Sequence, residues 1–311
     1  MTELEAAIRA QPDELRRLAG LDLPPAAKRL AAGERVWLVG TGTSWHAAEL
    51  GASMLGRAGV DARFAASNEF ALRAPLRAGD GVIVLSHTGK SAYARAARQR
   101  ALDIGATTVS ITGAGTGWDE AIETGEQERS QTYTGSYSSA LAVLALIAGE
   151  LGAEGLGPEA VVAAADATGD ALETPGDFPE PARLTVLAGL GPFAVTAREG
   201  ALKLREAARL LAEGYDAEYL LHGGAVPLTP DDALISLGTG PFVERLAGAA
   251  REAGLTVAEL THQGDELMAQ IPLTARLQLV ALRRAEARGH DPDTVITGPW
   301  GDEELWATGA P

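Results

Sequence analysis

Two turns rich in glycine and hydroxyl side chains are the segments of this sequence best suited to bind a small ligand. They are GTGTS at residues 40–44 and SHTGKS at residues 86–91. In each turn, glycine allows close backbone approach, the hydroxyls offer hydrogen-bond donors, and a following helix would present unpaired N–H groups. A phosphate would suit this chemistry. Because helix capping needs the same residue types, capping is the alternative for either turn taken alone.

Neither turn matches a nucleotide-binding fingerprint. The sequence has no GxxxxGK(S/T) motif, and GTGTS lacks the third glycine of GxGxxG. A third hydroxyl-rich turn, SQTYT at residues 130–134, leads into an apolar helix, and an edge strand with capping residues is the alternative there. The second half of the chain has no counterpart of SHTGKS, so we predict one anion site per chain.

A charged cluster is predicted on a helix within residues 199–215. Glu199, Lys203 and Glu206 are related as i, i+4 and i+7, so they share one face. Lys203 is one of only three lysines in the chain. The simpler interpretation is an amphipathic helix whose charged side is in water, and the other is a functional cluster. The opposite, apolar face is predicted to carry Ala201, Leu204, Ala208 and Leu211.

These segments must be positioned by regular elements. Helical sequences alternate with short apolar runs throughout the chain, and this alternation predicts parallel sheets covered on both faces. The two turns then follow the ends of strands, where open α/β sheets bind ligands. The predicted buried strands are residues 34–40, 81–86, 107–112, 183–191, 233–240 and 255–260.

The chain divides into two similarly organised halves. A segment rich in alanine, glycine, proline and acidic residues, 154–182, lies between them. We place the boundary near Gly157, so the first lobe is residues 1–157 with an N-terminal helix. The second lobe, residues 158–311, opens with a linking helix and ends in a tail. The repeated order of elements predicts one α/β unit used twice.

Composition narrows the class of protein and its partners. With 311 residues and 46% hydrophobic residues, two lobes or one unusually large α/β domain are expected. A net charge of −16 argues against nucleic acid or an anionic membrane as partner. The absence of cysteine excludes disulfides, thiolate catalysis and Cys-ligated metals. The first residues contain no apolar signal region and no apolar run could cross a bilayer, so a cytoplasmic protein is expected.

Several of these segments together resemble the tandem sugar isomerase (SIS) domain family. That group includes the isomerase half of glutamine:fructose-6-phosphate amidotransferase, stand-alone phosphosugar isomerases and fructosamine-phosphate deglycases. AAIRAQPDELRRL is similar to the family's leader helix, GTGTSWHAA to its first phosphate-side turn, and SNEF to a short loop. SHTGKSAYA is similar to the signature loop SxSGxT, and EGALKLREAARLLAEGY followed by LLHGG to the second-lobe catalytic segment. The resemblance covers nearly the whole chain and implies an α/β fold of two SIS lobes, each a flavodoxin-like parallel-sheet sandwich.

The resemblance also implies roles for individual residues. Glu206 would be the acid/base that moves a proton between C1 and C2 of a sugar phosphate. His222 would help to open the sugar ring, supplied across the interface of a homodimer or higher homo-oligomer. Glu199 and Lys203 would line the same pocket, with Lys203 pairing both carboxylates. The implied phosphate-side residues are Thr43, Ser44, Ser86, His87, Thr88 and Ser91, with Gly42, Ser130 and Thr132 as further substrate contacts.

The residue types suit the implied chemistry. Isomerisation through an enediol needs one base near both carbons, and a carboxylate can serve once burial raises its pKa toward neutrality. Ring opening suits an imidazole, which exchanges a proton near pH 7. Neither step calls for a metal or a cofactor, so none is expected. His46, His262 and His290 show no ligand-like spacing and are expected to be surface or structural residues.

The sequence departs from the family pattern in several places. The tail, residues 291–311, contains no lysine, which weakens ring opening or imine chemistry by a tail lysine. His87 and Lys90 stand where the family usually has a small amide or serine and a glutamate, and this added basic character could suit a sulfonate or a bulkier anionic sugar. Tyr133 and Gly135 replace more polar residues in the third turn. Without a glutaminase domain or a cysteine nucleophile, glutamine-dependent amino transfer is not expected.

Three functional interpretations follow. The leading one is an enzyme acting on a phosphorylated ketose, aldose or amino sugar by isomerisation, or by deglycation or deamination through the same kind of enediol or enolamine intermediate. The second is a sugar-phosphate sensor without turnover, although the chain is acidic and has no helix-turn-helix segment. The third is an inactive scaffold with a structural acidic helix.

Overall fold

The computed structural model describes the whole chain except Pro175, Asp177, Pro179 and the side chain of Ala31. The first three residues fall within the segment predicted to separate the lobes, so that part of the prediction lies outside the described residues. The chain forms two compact units. What we call the first unit comprises residues 10–129, 133–165 and 296–311, and the second unit comprises residues 1–9, 130–132 and 166–295.

Helices and parallel strands alternate along the described chain. The helices are α1 (Glu3–Ala19), α2 (Pro25–Lys28), α3 (Thr43–Arg57), α4 (Ser67–Arg73), α5 (Ala92–Asp103), α6 (Gly135–Glu150), α7 (Pro158–Glu173), α8 (Pro192–Ala208), α9 (Ala217–Tyr219), α10 (Pro241–Glu252), α11 (Gln270–Ala287) and α12 (Glu303–Ala307). The strands are β1 (Val36–Gly40), β2 (Ala62–Ala66), β3 (Gly81–Leu85), β4 (Thr107–Thr112), β5 (Ala121–Glu123), β6 (Thr185–Gly189), β7 (Ala212–Asp216), β8 (Ala233–Leu237) and β9 (Thr256–Leu260). Short 3₁₀ turns occur at Leu30–Ala32 and Gly298–Gly301, and a π-helical turn at Leu220–Gly224.

Each unit contains one parallel sheet. The first unit has the strand order β2-β1-β3-β4-β5, and the second unit has the order β7-β6-β8-β9. The central strands β1, β3, β6 and β8 are buried along their whole length, as expected for parallel strands covered on both faces. The predicted α/β class, with two parallel-sheet lobes and an N-terminal helix, is therefore confirmed. No described helix is long and apolar enough to span a membrane.

The two sheets repeat one pattern in detail. In each, the first strand pairs with the second on one side and with the third on the other. Each first strand ends in a turn whose glycine has almost the same backbone conformation, φ 58° and ψ −128° at Gly42 and φ 55° and ψ −125° at Gly191. Glycine adopts such positive φ values without the steric cost that a Cβ imposes. This agreement supports the prediction that one α/β unit is used twice.

The apolar segments of the sequence form the hydrophobic cores of the two units. Helix α6 is apolar on every side, and its residues 137–148 are all buried within the first unit. Helix α8 packs against α11, β6 and β7 in the second unit, with Ala201, Leu204 and Ala208 in the core. Both units therefore have their own hydrophobic core, built around a central sheet.

The helix predicted within residues 199–215 is shorter than expected. It ends at Ala208, and Arg209 takes the left-handed conformation with φ 53°. Leu211, predicted on the apolar face, lies outside the helix and is exposed. The chain then enters β7, which pairs with β6 from Thr185 opposite Ala212 onward. The prediction that Leu211 lies on the apolar face of this helix is wrong, because pairing with β6 begins at Ala212.

Candidate active site

The two glycine and hydroxyl turns lie side by side in the first unit. β1 and β3 are adjacent parallel strands, with Val39 paired to Val84, and each turn follows the carboxyl end of its strand. From β1 the chain passes through α3 to β2 on one side, whereas β3 lies on the other side. This reversal is the topological switch point at which open α/β sheets bind ligands. The geometry of the sheet thus places both turns at one edge of the sheet, a candidate ligand site.

The turn at residues 86–91 is organised by its own backbone. The Ser86 N–H donates to the Ile111 carbonyl at 3.1 Å, the Gly89 N–H to the Ser86 carbonyl at 3.3 Å, and the Lys90 N–H to Thr88 Oγ1 at 3.2 Å. Ser91 precedes α5 but its side chain makes no capping bond to that helix. The capping explanation therefore fails for the Ser91 hydroxyl, which stays available next to the start of α5.

The neighbouring turn at residues 40–44 has a similar backbone arrangement. Gly42 precedes α3, and its carbonyl accepts from the Trp45 N–H at 2.9 Å. The Ser44 N–H donates to the Thr41 carbonyl at 3.2 Å. Thr43 and Ser44 are half-buried at the first turn of α3, close to the surface rather than in the core.

Lys90 is the cation of the turn at residues 86–91. It is exposed, and it has no ion pair within the described part of the chain. The other two lysines are paired: Lys28 Nζ lies 3.7 Å from Glu150 Oε1, and Lys203 contacts two carboxylates. In a chain of net charge −16, an unpaired cation beside a ligand-binding edge favours an anionic ligand.

His87 does not add positive charge to this turn. Its Nε2 accepts a hydrogen bond from the Glu128 N–H at 2.9 Å, and its ring meets the Tyr133 ring edge-on at 5.5 Å between centroids. Burial lowers the pKa of His87, although the nearby Glu128 carboxylate partly opposes this. The basic character expected of His87 is therefore corrected, and only Lys90 contributes a cation here.

The hydroxyl groups of the third turn form hydrogen bonds within the protein. Ser130 and Thr132 are buried in the second unit, and both hydroxyls donate to the Pro292 carbonyl, at 3.4 and 2.8 Å. Both hydroxyl protons are therefore already used in these hydrogen bonds. The role of Ser130 and Thr132 as substrate contacts stays a prediction that this arrangement does not favour.

Glu128 is a residue that the sequence interpretation missed. Its carboxylate accepts hydrogen bonds from the N–H groups of Thr134, Gly135 and Ser136, at 2.7 to 3.3 Å, where α6 begins. A helix start of this kind attracts anions, and here the chain supplies its own. Glu128 lies seven residues before α6, outside the spacing of a capping box, so no local pattern indicated this contact.

The charged cluster on α8 is buried rather than solvated. Lys203 Nζ lies 2.6 Å from Glu206 Oε2 and 3.4 Å from Glu199 Oε1. The side chains of Lys203 and Glu199 are 0% exposed, whereas that of Glu206 is 22% exposed. Charges are buried at high cost unless they are paired. The simpler interpretation, a charged face in water, is therefore wrong, and Glu206 is the one member that reaches the surface.

Glu206 lies far from the Gly191 turn of its own unit. It occupies the last turn of α8, where the neighbouring Arg205 Nη1 donates to the carbonyl of Ala212, the first residue of β7. The glycine turn containing Gly191 is at the opposite end of the helix. At 1.5 Å per residue, Pro192 and Glu206 are about 21 Å apart along the axis. The Gly191 turn is therefore remote from Glu206.

His222 lies on an exposed turn of the second unit. It belongs to the π-helical turn Leu220–Gly224, its side chain is 74% exposed, and Nε2 is 4.0 Å from Glu218 Oε1. The large apolar side chains of Tyr219, Leu221 and Val226 are also exposed along this segment. Exposed apolar side chains grouped closely along the chain are a candidate protein interaction site.

The fold defines the class: a tandem α/β protein whose two units repeat one parallel-sheet arrangement. Sequence comparison agrees with it. The chain is 27% identical to the isomerizing glutamine–fructose-6-phosphate aminotransferase of Pyrococcus horikoshii, over 88% of this chain and 52% of that protein. It is 26% identical to the enzyme of the same name from Staphylococcus aureus, over 84% of this chain and 50% of that protein. The chain therefore spans about half the length of these curated relatives. No family model matches the chain.

Solved structures show the same fold. Tagatose-6-phosphate ketose/aldose isomerase from Escherichia coli superimposes with a TM-score of 0.80 at 20% identity, covering 96% of this chain and 97% of that one. The C-terminal domain of glucosamine-fructose-6-phosphate aminotransferase from Francisella tularensis gives 0.79 at 18% identity, covering 94% and 98%. Glucosamine-6-phosphate deaminase from Thermotoga maritima gives 0.75 at 20% identity, covering 94% and 97%. The resemblance to the tandem SIS domain family is confirmed.

Proposed function

We propose that this chain is an enzyme that isomerises a sugar phosphate between aldose and ketose, or removes an amino substituent through the related enolamine. The observation that carries the proposal is the buried Glu199–Lys203–Glu206 cluster, in which only Glu206 reaches the surface. An ordinary surface helix has no reason to bury two such charges. The names of the similar proteins, an isomerizing aminotransferase, a ketose/aldose isomerase and a deaminase, support the same range of reactions.

The phosphate is proposed to bind at the two adjacent turns of the first unit. Backbone N–H groups at the starts of α3 and α5 would donate to its oxygens, and Lys90 would supply the positive charge that a chain of net charge −16 otherwise lacks. No metal or cofactor is included in this proposal. The hydroxyl residues that would contact the phosphate are Thr43, Ser44, Ser86, Thr88 and Ser91.

Proton transfer is assigned to Glu206. Lys203 Nζ donates to Oε2 and so fixes the orientation of the carboxylate, which would take the proton from C2 of an aldose. The electron pair of that C–H bond forms the C1–C2 double bond while the C1 carbonyl oxygen takes up a proton, which gives the enediol. The C2 hydroxyl then loses its proton as C2 becomes the carbonyl carbon, and the double-bond electrons take the proton back from Glu206 at C1, which gives the ketose. One base within reach of both carbons is sufficient. His222 would exchange the proton of the ring oxygen during ring opening.

Hydrogen exchange in deuterium oxide tests the proposed function directly. Fructose 6-phosphate and glucosamine 6-phosphate are incubated with the protein, and the C1 and C2 protons are followed by NMR. We expect enzyme-dependent loss of one of these signals, because the enediol or enolamine exchanges its proton with solvent. A sugar phosphate that binds in a thermal-shift assay but never exchanges would support the sensor instead. No binding of either ligand would contradict both interpretations.

Mixing two inactive variants tests whether His222 acts on a second copy of the chain. The exposed apolar segment around His222 is proposed to pack on that copy, in a two-fold dimer in which His222 completes the partner's site. Glu206→Gln and His222→Ala are each expected to be inactive as homodimers. Subunit exchange would give mixed dimers with one intact site, restoring about one quarter of wild-type activity. Mixtures as inactive as their components would show that both residues act within one chain.

A further inference from the structure

His87 is held at three points within the first unit. Its backbone carbonyl accepts from the Gly113 N–H at 2.8 Å, and its Nε2 accepts from the Glu128 N–H at 2.9 Å. The edge of its ring meets Tyr133. Every one of these contacts is with a segment distant in sequence. The ring therefore connects the turn at residues 86–91 to the loop that precedes α6.

Gly113 makes room for the ring. A Cβ at position 113 would lie 2.7 Å from His87 Cε1 and 2.9 Å from Nδ1, closer than real Cβ contacts allow. Glycine directly after β4 thus permits the imidazole to lie against the backbone. The position of the imidazole ring is therefore determined by two other segments of the chain, one at Gly113 and one at Glu128.

Glu128 extends this connection to α6. Its N–H bonds the imidazole, while its carboxylate accepts from Thr134, Gly135 and Ser136 at the start of the helix. One residue therefore links two elements through two different groups. Displacement of the Glu128 backbone would disturb both the helix start and the turn that carries His87.

The hydrogen bond to Glu128 fixes the protonation state of the imidazole. A backbone N–H can only donate, so Nε2 must carry a lone pair and the single ring proton must be on Nδ1. Burial acts in the same direction, because it lowers the pKa of His87 below the ordinary value of 6.5. The titratable groups facing the ring are the Glu128 carboxylate, which opposes the shift, and the Tyr133 phenol.

We propose that His87 is a positioning residue that, as a neutral imidazole, fixes the turn at residues 86–91 for ligand binding by accepting the Glu128 N–H, instead of contacting the phosphate itself. This inference rests on the proposed function only in taking that turn as the phosphate site. Protonation of Nε2 removes the hydrogen-bond acceptor, and the new Nε2–H then faces the Glu128 N–H, donor against donor. The turn then loses its connection to α6, and anion affinity falls as the pH is lowered.

The tautomer of His87 is measurable without any substrate. We expect long-range ¹H–¹⁵N NMR spectra of the full-length protein to show His87 protonated on Nδ1 at neutral pH, with a pKa below that of an unperturbed histidine. His87→Gln removes one set of signals and so assigns them. Detection of the Nε2-protonated tautomer, or a pKa at or above the ordinary value, would overturn the proposal.

Sulfate binding tests the effect on the turn, because the charge of sulfate is constant across the range in which histidine titrates, about pH 5 to 8. Wild-type affinity is expected to fall on acidification. His87→Gln keeps an acceptor oxygen that does not titrate, so its affinity should remain nearly constant with pH. His87→Ala should bind about fivefold more weakly even at neutral pH, the effect of one lost hydrogen bond. His290→Gln, in the second unit, is the matched control and should retain the wild-type profile.

The outcomes separate this inference from the proposed function. An acid-dependent loss of sulfate binding that persists in His87→Gln would overturn the role of His87. A wild-type chain that shows the expected tautomer and sulfate profile but never exchanges sugar protons would contradict the proposed catalysis alone. Failure of wild type to bind sulfate at any pH would overturn the assignment of the turn, and with it the role given to His87 there.

Discussion

Replacement of Glu206 by glutamine is expected to lower the rate of sugar-proton exchange by about 10² to 10⁴, the usual contribution of a general base. Glutamine has nearly the same shape and can still accept a hydrogen bond from Lys203, but its amide cannot take a proton from carbon. Binding of the sugar phosphate should change little, because the phosphate is proposed to be held by other residues. The rate is measured by NMR in deuterium oxide, with affinity measured separately.

Glu252→Gln is a suitable control for this experiment. Glu252 is an exposed glutamate at the end of α10, and its replacement removes the same charge from the second unit. Its exchange rate should equal that of wild type. Exchange by Glu206→Gln at the rate of this control would remove Glu206 from the mechanism.

Replacement of Lys203 by methionine is expected to destabilise the fold by about 3–5 kcal/mol, as when one partner of a buried ion pair is removed. Methionine fills a similar volume but leaves the Glu199 carboxylate, which is 0% exposed, without its cation. Catalysis should be lost as well, because Lys203 orients Glu206 through a 2.6 Å hydrogen bond. The free energy of unfolding is obtained from urea titration, and the exchange rate from the same NMR assay.

Lys28→Met provides the matched comparison. Lys28 pairs with Glu150 at 3.7 Å, and both side chains are 45% exposed, so its loss should cost less than about 1 kcal/mol. Glu199→Gln added to Lys203→Met should recover part of the lost stability, since it removes the buried carboxylate charge that Lys203 balanced, but it should not restore exchange. Equal stability of the two single lysine variants would show that the buried pair contributes no more than a surface pair.

The central strands could be predicted from the sequence because each is a short run rich in apolar or β-branched residues. Residues 107–112, for example, form β4 with the predicted bounds. The edge strands β2 and β7 were not predicted, since ARFAA and AEGYD are partly exposed and lack such a run. Their strand conformation depends on pairing with β1 and β6, which lie elsewhere in the chain. The residues of β2 and β7 alone do not indicate this pairing.

The end of α8 shows the same limitation. Helix-favouring residues continue past Ala208, so the local pattern predicts a longer helix. In the structure Arg209 leaves the helical conformation and Ala212 pairs with Thr185. Hydrogen bonding to a strand already in the sheet outweighs a propensity difference of a few tenths of a kcal/mol per residue.

The spacing of residues was sufficient to place Glu199, Lys203 and Glu206 on one helical face, and the order of strands to place the two hydroxyl turns at one edge of a sheet. The shared helical face depends only on residue spacing, and the shared sheet edge depends only on the order of the strands, so both could be predicted from the sequence. Burial of Lys203, the hydrogen bond from the Glu128 N–H to His87 Nε2 and the contacts of the Glu128 carboxylate with the start of α6 emerged only from the folded chain. Each depends on which distant groups surround a side chain, because solvent access and hydrogen-bond partners are set by packing between segments far apart in sequence.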